Sequence, residues 1–378
     1  VGVGSVTIEF NRRLEAIPYY PAADAYGDGR DLVLLASNET PFAPPPAVRE
    51  AIADRLATLN RYPDPDKSEL RRRIAARCGV PSEMIVVGNG SCEILLAAAQ
   101  ALLEPGAEVV FAWPSFSVYP QLAALTGARE IRVPLDSDDR HDLDALAREV
   151  TAATRLVLVC NPNNPTGTAL PLDAIDELAA ALPRHVCLLV DEAYVEFSTL
   201  QDPEESLELV RRYPNVVLLR TFSKVYGLCG LRCGYAIGPE SFRIACEKVR
   251  QPFTVNTLAQ AAAAVAIDLQ DEVERRVERT AVEREHVVGE LRARGLRVAD
   301  SQANFCWVEL GGRDDRTICD ELARRGVIVR TGSALGGPGH LRVTFGTRAE
   351  NDRFLAALDA ALAAGGGDRA DRPVSRNR

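Results

Sequence analysis

Short apolar, β-branched runs alternate with helix-patterned segments between about residues 70 and 240, and this alternation most restricts the fold. LRRRIAARCG reads as a helix closed by Gly79, MIVVG as a strand, and EILLAAAQALLEPG as a helix ended by Pro105 and Gly106. VVFAW, IRVPL, LVLVC, CLLVDE and VVLLRTFS continue the strands, with helices through YPQLAALTG, DLDALAREV and DAIDELAAAL between them. Strands this apolar have no polar face to show to water. They predict a mostly parallel sheet covered by helices on both sides, an α/β fold.

Beyond residue 255 the texture changes. A long helical stretch, LAQAAAAVAIDLQDEVERRVERTAVEREHVVGELRARG, reads as broken once or twice. The strand-like runs SQANFCWVEL, VIVRTG and HLRVTFG follow, with helices around RTICDELARRG and NDRFLAALDAALAA. Two or three strands backed by helices predict a second, smaller α+β domain. The expected organisation is a segment 1–45, rich in Pro and Tyr, folding back onto the small domain, a large domain 46–270 and a small domain 271–364. The tail 365–378, GGGDRADRPVSRNR, is polar and glycine-rich and is expected to be disordered.

Composition removes several function classes. No apolar run is long enough to span a bilayer, and VGVGSVTIEFNRR lacks the basic-then-apolar order of a signal peptide, so a cytoplasmic protein is expected. A net charge of −9 argues against nucleic acid as a partner, and it leaves anion capture to locally set arginines. The nine cysteines show no CxxC, and Cys160, Cys187 and Cys306 lie in apolar runs where the thiol acts as a small core hydrophobe. His141, His185, His286 and His340 have no ligand spacing. Neither a metal site nor a disulfide framework is expected.

In an open α/β sheet, ligands bind at the carboxyl ends of the strands. Five clusters fall there: Asn89-Gly90-Ser91-Cys92, Pro114-Ser115-Phe116, Asn164-Pro165-Thr166-Gly167, Asp191-Glu192-Ala193-Tyr194 and Thr221-Phe222-Ser223-Lys224. The first is a glycine turn entering a helix, which offers free N–H groups to an anion. By itself it reads equally as an ordinary turn, as does NPNNPTG, and Phe116 reads equally as core packing. Asp191 follows four apolar residues, so its carboxylate needs a cation or strong donors. A structural salt bridge, a helix cap or a protonated heteroaromatic nitrogen each meets that need.

Lys224 discriminates between these alternatives. A lysine in an apolar crevice has a lowered pKa and serves as a nucleophile or base. Ser223 and Arg232 flank it with a hydroxyl and a fixed positive charge suited to phosphate. A phosphate-bearing aldehyde with a basic ring nitrogen satisfies lysine, phosphate cradle and Asp191 together. Pyridoxal 5′-phosphate is that molecule.

The ordered set Asn164-Pro165-Thr166-Gly167, Asp191-Glu192-Ala193-Tyr194, Ser223-Lys224 and Gly230-Leu231-Arg232 resembles the fold-type I, pyridoxal-phosphate-dependent aminotransferases of class I/II. LASNETPFAP, NRYPDPD, VGNGS, CNPNNPTG, DEAYVEF, RTFSKVYGLCGLRCGY, SQANF and LRVTFGTRAEND are similar to the histidinol-phosphate aminotransferases, over about residues 15 to 362. FAWPSFSVYP resembles the aromatic amino-acid aminotransferase branch as well.

The resemblance implies a seven-stranded, mostly parallel sheet between helices. It implies that Lys224 holds the cofactor covalently and then carries a proton between substrate carbon and cofactor, and that Asp191 keeps the pyridine nitrogen protonated. Tyr194 and Asn164 would bond the ring oxygen, and Phe116, where the family often has tyrosine, would stack on the ring. Ser91, the Cys92 amide, Ser223 and Arg232 would bind the phosphate; Cys92 stands where the family usually has aspartate. Tyr62 would reach the phosphate from a second subunit, which implies a homodimer. On the substrate side, Arg342 would hold the carboxylate or its stand-in, Arg330 would be a second anion-binding position, and Asn38 and Tyr19 would complete the pocket. YYPAADAYGDG departs from the family's usual Tyr-x-Pro-Gly-Lys run around Tyr19.

The expected activity is a ping-pong transamination between glutamate/2-oxoglutarate and L-histidinol phosphate/imidazole acetol phosphate, in histidine biosynthesis. The rival substrate is phenylalanine or tyrosine. A nucleotide-dependent oxidoreductase is disfavoured because no GxGxxG follows the first strands, and a non-catalytic binding domain because Lys224, Asp191 and Arg232 are all present.

Overall fold

The structure, a computed structural model, describes residue 8, residues 10–17 and residues 31–365. Tyr19 and the tail from residue 366 lie outside the described residues.

The described chain runs from strand β1 (Val33–Leu34) through helices α1 (Pro46–Ala53) and α2 (Ser68–Cys78) into an alternating region. There β2 (Ile85–Gly88), α3 (Ser91–Leu102), β3 (Glu108–Trp113), α4 (Tyr119–Thr126), β4 (Arg129–Pro134) and α5 (Leu143–Arg148) follow one another. The pattern continues with β5 (Thr154–Cys160), α6 (Leu172–Ala181), β6 (Cys187–Asp191), α7 (Leu207–Arg212), β7 (Val216–Thr221) and β8 (Gly234–Ile237). Helices α8 (Glu240–Val249), α9 (Thr257–Ala266) and α10 (Gln270–Ala293) lead to a second region. It contains β9 (Arg297–Val298), β10 (Phe305–Glu309), α11 (Asp315–Arg324), β11 (Val327–Ile328), β12 (Arg330–Thr331), β13 (His340–Thr344) and α12 (Arg348–Gly365).

Seven strands form the large sheet in the order β2-β8-β7-β6-β5-β3-β4. All neighbours are parallel except β8, which runs antiparallel to both β2 and β7. Apolar runs LVLVC and CLLVD are buried along their whole length, because both faces of the sheet are covered. Val157, Val159, Leu188, Val190 and Leu218 join the core on one face, and Leu156, Leu158, Leu189, Val217 and Leu219 join that on the other. This is the two-residue period of a strand read out as two layers. At the edge, β4 turns Arg129, Glu130 and Arg132 outward, which keeps the open edge charged.

The sequence pattern missed β8. Its four residues, GYAI, are too short and too glycine-marked to stand out from the motif around Arg232. The long helical stretch is broken once, at residues 267–269, between α9 and α10.

The smaller α+β unit is an antiparallel sheet in the order β12-β13-β10-β9, with its own core against α10, α11 and α12. Strand β1 pairs in parallel with β11, Val33 opposite Val327, so the chain ahead of α1 is tied to this unit. Buried Arg276, on α10, links the two regions. It donates to Val225 O (3.0 Å), Ala43 O (2.8 Å) and Glu272 Oε1 (2.9 Å).

Arg276→Ala would leave the Val225 and Ala43 carbonyls without their donor and take from Glu272 one of its two arginine partners. The expected loss is about 2 kcal/mol, read as a lowered urea midpoint. A loss within about 0.5 kcal/mol, the range of ordinary surface substitutions, would mean that the linkage carries no load.

Candidate active site

The carboxyl ends of β2, β3, β5, β6 and β7 open into one cavity of about 360 Å³. The parallel order makes this unavoidable, because each strand delivers the residues after it to the same edge. Ser91 and Cys92 open α3 there, Phe116 follows β3, and Asn164 follows β5. Asp191 is the last residue of β6, Tyr194 comes three residues later, and Ser223 and Lys224 follow β7. Asn38 enters from the segment after β1, and Arg330 and Arg342 enter from β12 and β13.

Asp191 is buried, and among the described residues none forms an ion pair with it. Tyr119 donates to its Oδ2 at 3.0 Å and the Ala193 amide to its Oδ1 at 3.2 Å. Burial is the main influence and pushes its pKa up to about 6, against those two hydrogen bonds. Lys224 Nζ donates to Ser37 O at 3.1 Å and lies 5.5 Å from the centre of the Tyr194 ring. Burial, followed by the nearby Arg342 charge, lowers its pKa to about 8. The Tyr194 hydroxyl accepts from Asn38 Nδ2 at 2.9 Å, and burial raises its ionisation well out of the working range.

The smaller unit completes the pocket. Arg342 Nη1 donates to Asn164 Oδ1 (2.7 Å) and Nη2 to Ala36 O (2.5 Å), with the guanidinium 5.5 Å from the Phe305 ring centre. Asn38, held in a left-handed conformation at φ 55°, receives hydrogen bonds from Thr344 Oγ1 and Asn304 Nδ2. This side of the cavity therefore depends on contacts across more than 260 residues of chain.

A glycine-built cradle lies beside Lys224. Gly90 has φ +79°, and a Cβ there would come within 2.6 Å of Arg232 Nη2. A Cβ on Gly234 would come within 2.5 Å of the Ser91 amide nitrogen. Only glycine at both positions lets the α3 N-terminus, Ser223 and Arg232 converge, and such an array of donors suits a phosphate. Arg232, itself left-handed at φ 59°, is exposed and donates to Cys229 O at 2.9 Å.

Cradle, amine and cation-free carboxylate match the phosphate, aldehyde and ring nitrogen of pyridoxal 5′-phosphate. Tyr62 is not in the cavity. It is 82% exposed and stacks on Phe253 with ring centres 4.5 Å apart. Tyr19 lies outside the described residues.

Sequence reasoning missed Ser37, Glu39 and Leu335 of the cavity wall, and Tyr119 beneath its floor. Ser37 acts through its carbonyl, which no side-chain pattern reveals. Tyr119 carried a faint signal, a hydroxyl in an otherwise apolar helix start after a strand's carboxyl end. Among the described residues no group of three or more His, Cys, Asp or Glu could hold a metal ion, and no helix is long and apolar enough to cross a membrane.

A half-buried, desolvated lysine, a buried carboxylate and an anion cradle at the carboxyl edge of this sheet define a class of protein. The chain matches the family Aminotransferase class I and II over residues 30–358, and it belongs to that family. It is 46% identical to an aromatic amino acid aminotransferase of Thermobifida fusca, over 89% of this chain and 92% of that one. It is 41% identical to a histidinol-phosphate aminotransferase of Geobacillus thermodenitrificans, over 88% and 90%. The crystal structure of histidinol-phosphate aminotransferase from Sinorhizobium meliloti, in complex with pyridoxal-5′-phosphate, superposes with a TM-score of 0.86 at 29% identity, covering 95% of this chain and 99% of that one.

Lys224 is one of three lysines in the sequence; Lys67 is buried against Glu247 and Lys248 is exposed. Because the neutral amine is favoured, trapping of Lys224 by a small aldehyde and borohydride should rise with pH, half-maximal near pH 8. Peptide mapping reads the site. A midpoint near the ordinary lysine value of about 10.4 would contradict the desolvated setting.

Proposed function

We propose that the protein moves the amino group of an aromatic α-amino acid to a 2-oxo acid. At the coarser level the protein is a pyridoxal 5′-phosphate-dependent aminotransferase, as its family membership and fold establish. The observation that carries the chemistry is the convergence of Lys224, Asp191 and the Gly90–Gly234 cradle on one cavity.

When bound, the cofactor supplies an electron sink that acidifies the substrate's α-carbon. Lys224, largely neutral above about pH 8, holds the cofactor through its amine and, once released, takes and returns the α-proton. The Ser91 and Cys92 amides, Ser223 and Arg232 would bind the phosphate. Asp191 would keep the ring nitrogen protonated. Tyr194 and Asn164 would hydrogen-bond the ring oxygen, and Phe116 would lend an aromatic face. Arg342 takes the substrate carboxylate with Arg330 beside it, and Asn38 orients Tyr194. The working unit is a homodimer, in which Tyr62 of each chain serves the other's phosphate site; its exposed ring supports that reading.

The preference drawn from sequence, L-histidinol phosphate, is reversed here. The relative at 46% identity bears the aromatic name, and the one bearing the histidinol-phosphate name is at 41%. Among the described residues, the cavity outside the phosphate cradle carries Arg330 and Arg342, which suit the carboxylate of an α-amino acid. Phe116 and Leu335 offer apolar wall to a ring. Histidinol phosphate stays as the second reading, because relatives of that name match the whole fold.

The deciding experiment is a half-reaction followed by the loss of the holoenzyme's visible absorbance. L-Phenylalanine should react at least about tenfold faster than L-histidinol phosphate, a transition-state preference of about 1.4 kcal/mol. The opposite order would assign the enzyme to histidinol phosphate.

A further inference from the structure

We propose that Tyr119 is a positioning residue for the reaction, holding Asp191 ionised and oriented through one hydrogen bond to its carboxylate. Tyr119 is wholly buried at the first turn of α4, beneath the cavity floor, and its hydroxyl donates to Asp191 Oδ2 at 3.0 Å. Its ring sits edge-on to Phe111 and Phe116, both 5.8 Å away between centres, so the hydroxyl has one direction in which to point.

The groups that face Asp191 come from several elements: Tyr119 on α4, Cys160 on β5, Cys92 on α3, Lys224 after β7, and Glu192 and Tyr194 next along its own chain. Lys224 is the one cation among them, and it supports the carboxylate less than the Tyr119 and Ala193 hydrogen bonds do. Cys160 and Cys92 are held as neutral thiols by burial, so neither supplies a charge or a strong donor. Tyr119 is therefore the strongest side-chain support for the anionic form among the described residues. Burial raises the ionisation of Tyr119 itself far above the working range, so it keeps its proton and donates throughout.

The consequence follows from a shared proton. A hydrogen bond to a carboxylate favours its charged form and lowers its basicity. Without it, the proton between Asp191 and the ring nitrogen moves toward Asp191; the acid becomes neutral, the ring loses positive charge, and it draws electrons less well. No bond is made or broken at Tyr119. The inference rests on pyridoxal 5′-phosphate occupying the cavity with its ring nitrogen at Asp191.

The test uses holoenzyme reconstituted with pyridoxal 5′-phosphate and the variant Tyr119→Phe, which keeps the ring and its packing. The pH midpoint of the visible absorbance should rise. The half-reaction should slow by about ten- to a hundredfold, the effect of one hydrogen bond to a charged group, with KM nearly unchanged. In an Asp191→Asn background, Tyr119→Phe should change neither reading, because the carboxylate it supports is gone. Should Tyr119→Phe not fold, placing 3-fluorotyrosine at position 119 keeps the shape and strengthens the donor, and the midpoint should fall. An unmoved midpoint in a folded variant, or an equal rate loss in the Asp191→Asn background, overturns the proposal while leaving the cofactor in place. A wild-type protein that gains no visible band with pyridoxal 5′-phosphate overturns the cofactor assignment itself.

Discussion

A carboxylate buried without its counter-ion is the constraint around which this molecule is arranged. Asp191 ends the central strand β6, where two layers of apolar side chains exclude water, and its neighbour Glu192 shows what the protein does elsewhere. Glu192 Oε2 accepts from Arg220 Nε at 2.7 Å, both side chains being buried. Strand alternation sends Asp191 to the opposite side, where it meets a phenol and an amide but no guanidinium. On the proposed reading, a protonated ring nitrogen would supply the missing cation, which is why this carboxylate suits a cofactor and not a structural ion pair.

Lys224 sits in the complementary predicament. Desolvation and the Arg342 charge both disfavour its ammonium form, so the neutral amine is available near physiological pH. The same burial that strains these two groups also strengthens every charge interaction between them and a ligand. Holding them requires a rigid frame. Arg276 clamps the loop after Lys224 to α10 and to the segment before α1, and Gly90 and Gly234 permit the close backbone approach that shapes the anion cradle.

The sheet lines one half of the cavity, which the proposed function gives to the cofactor, and the smaller unit with the segment before α1 lines the other, which it gives to the substrate. Arg342 reaches across to Asn164, and Asn38 reaches across to Tyr194. These two hydrogen bonds couple the two halves, so on the proposed reading a change at the substrate end would alter the polarity around the ring as well as the fit.

Much of the fold and of the site was legible in the residues. Apolar runs such as LVLVC and CLLVD announce strands buried on both faces, and the polar residues directly after them fall at one edge by the geometry of a parallel sheet. That alone brings Asn164, Asp191 and Lys224 together. Strand β8 was illegible because GYAI is short and owes its place to pairing with β2 and β7, which are distant in sequence. Tyr119 was illegible as a partner of Asp191 because 72 residues separate them and a tyrosine in an apolar helix reads as core. By itself the sequence determined the element types, the edge at which chemistry occurs and the residue kinds present there, since these follow from local period and composition. The tertiary structure alone decided which carboxylate keeps a cation, which lysine is desolvated and which arginines face the cavity, because burial and pairing depend on what the rest of the chain brings alongside.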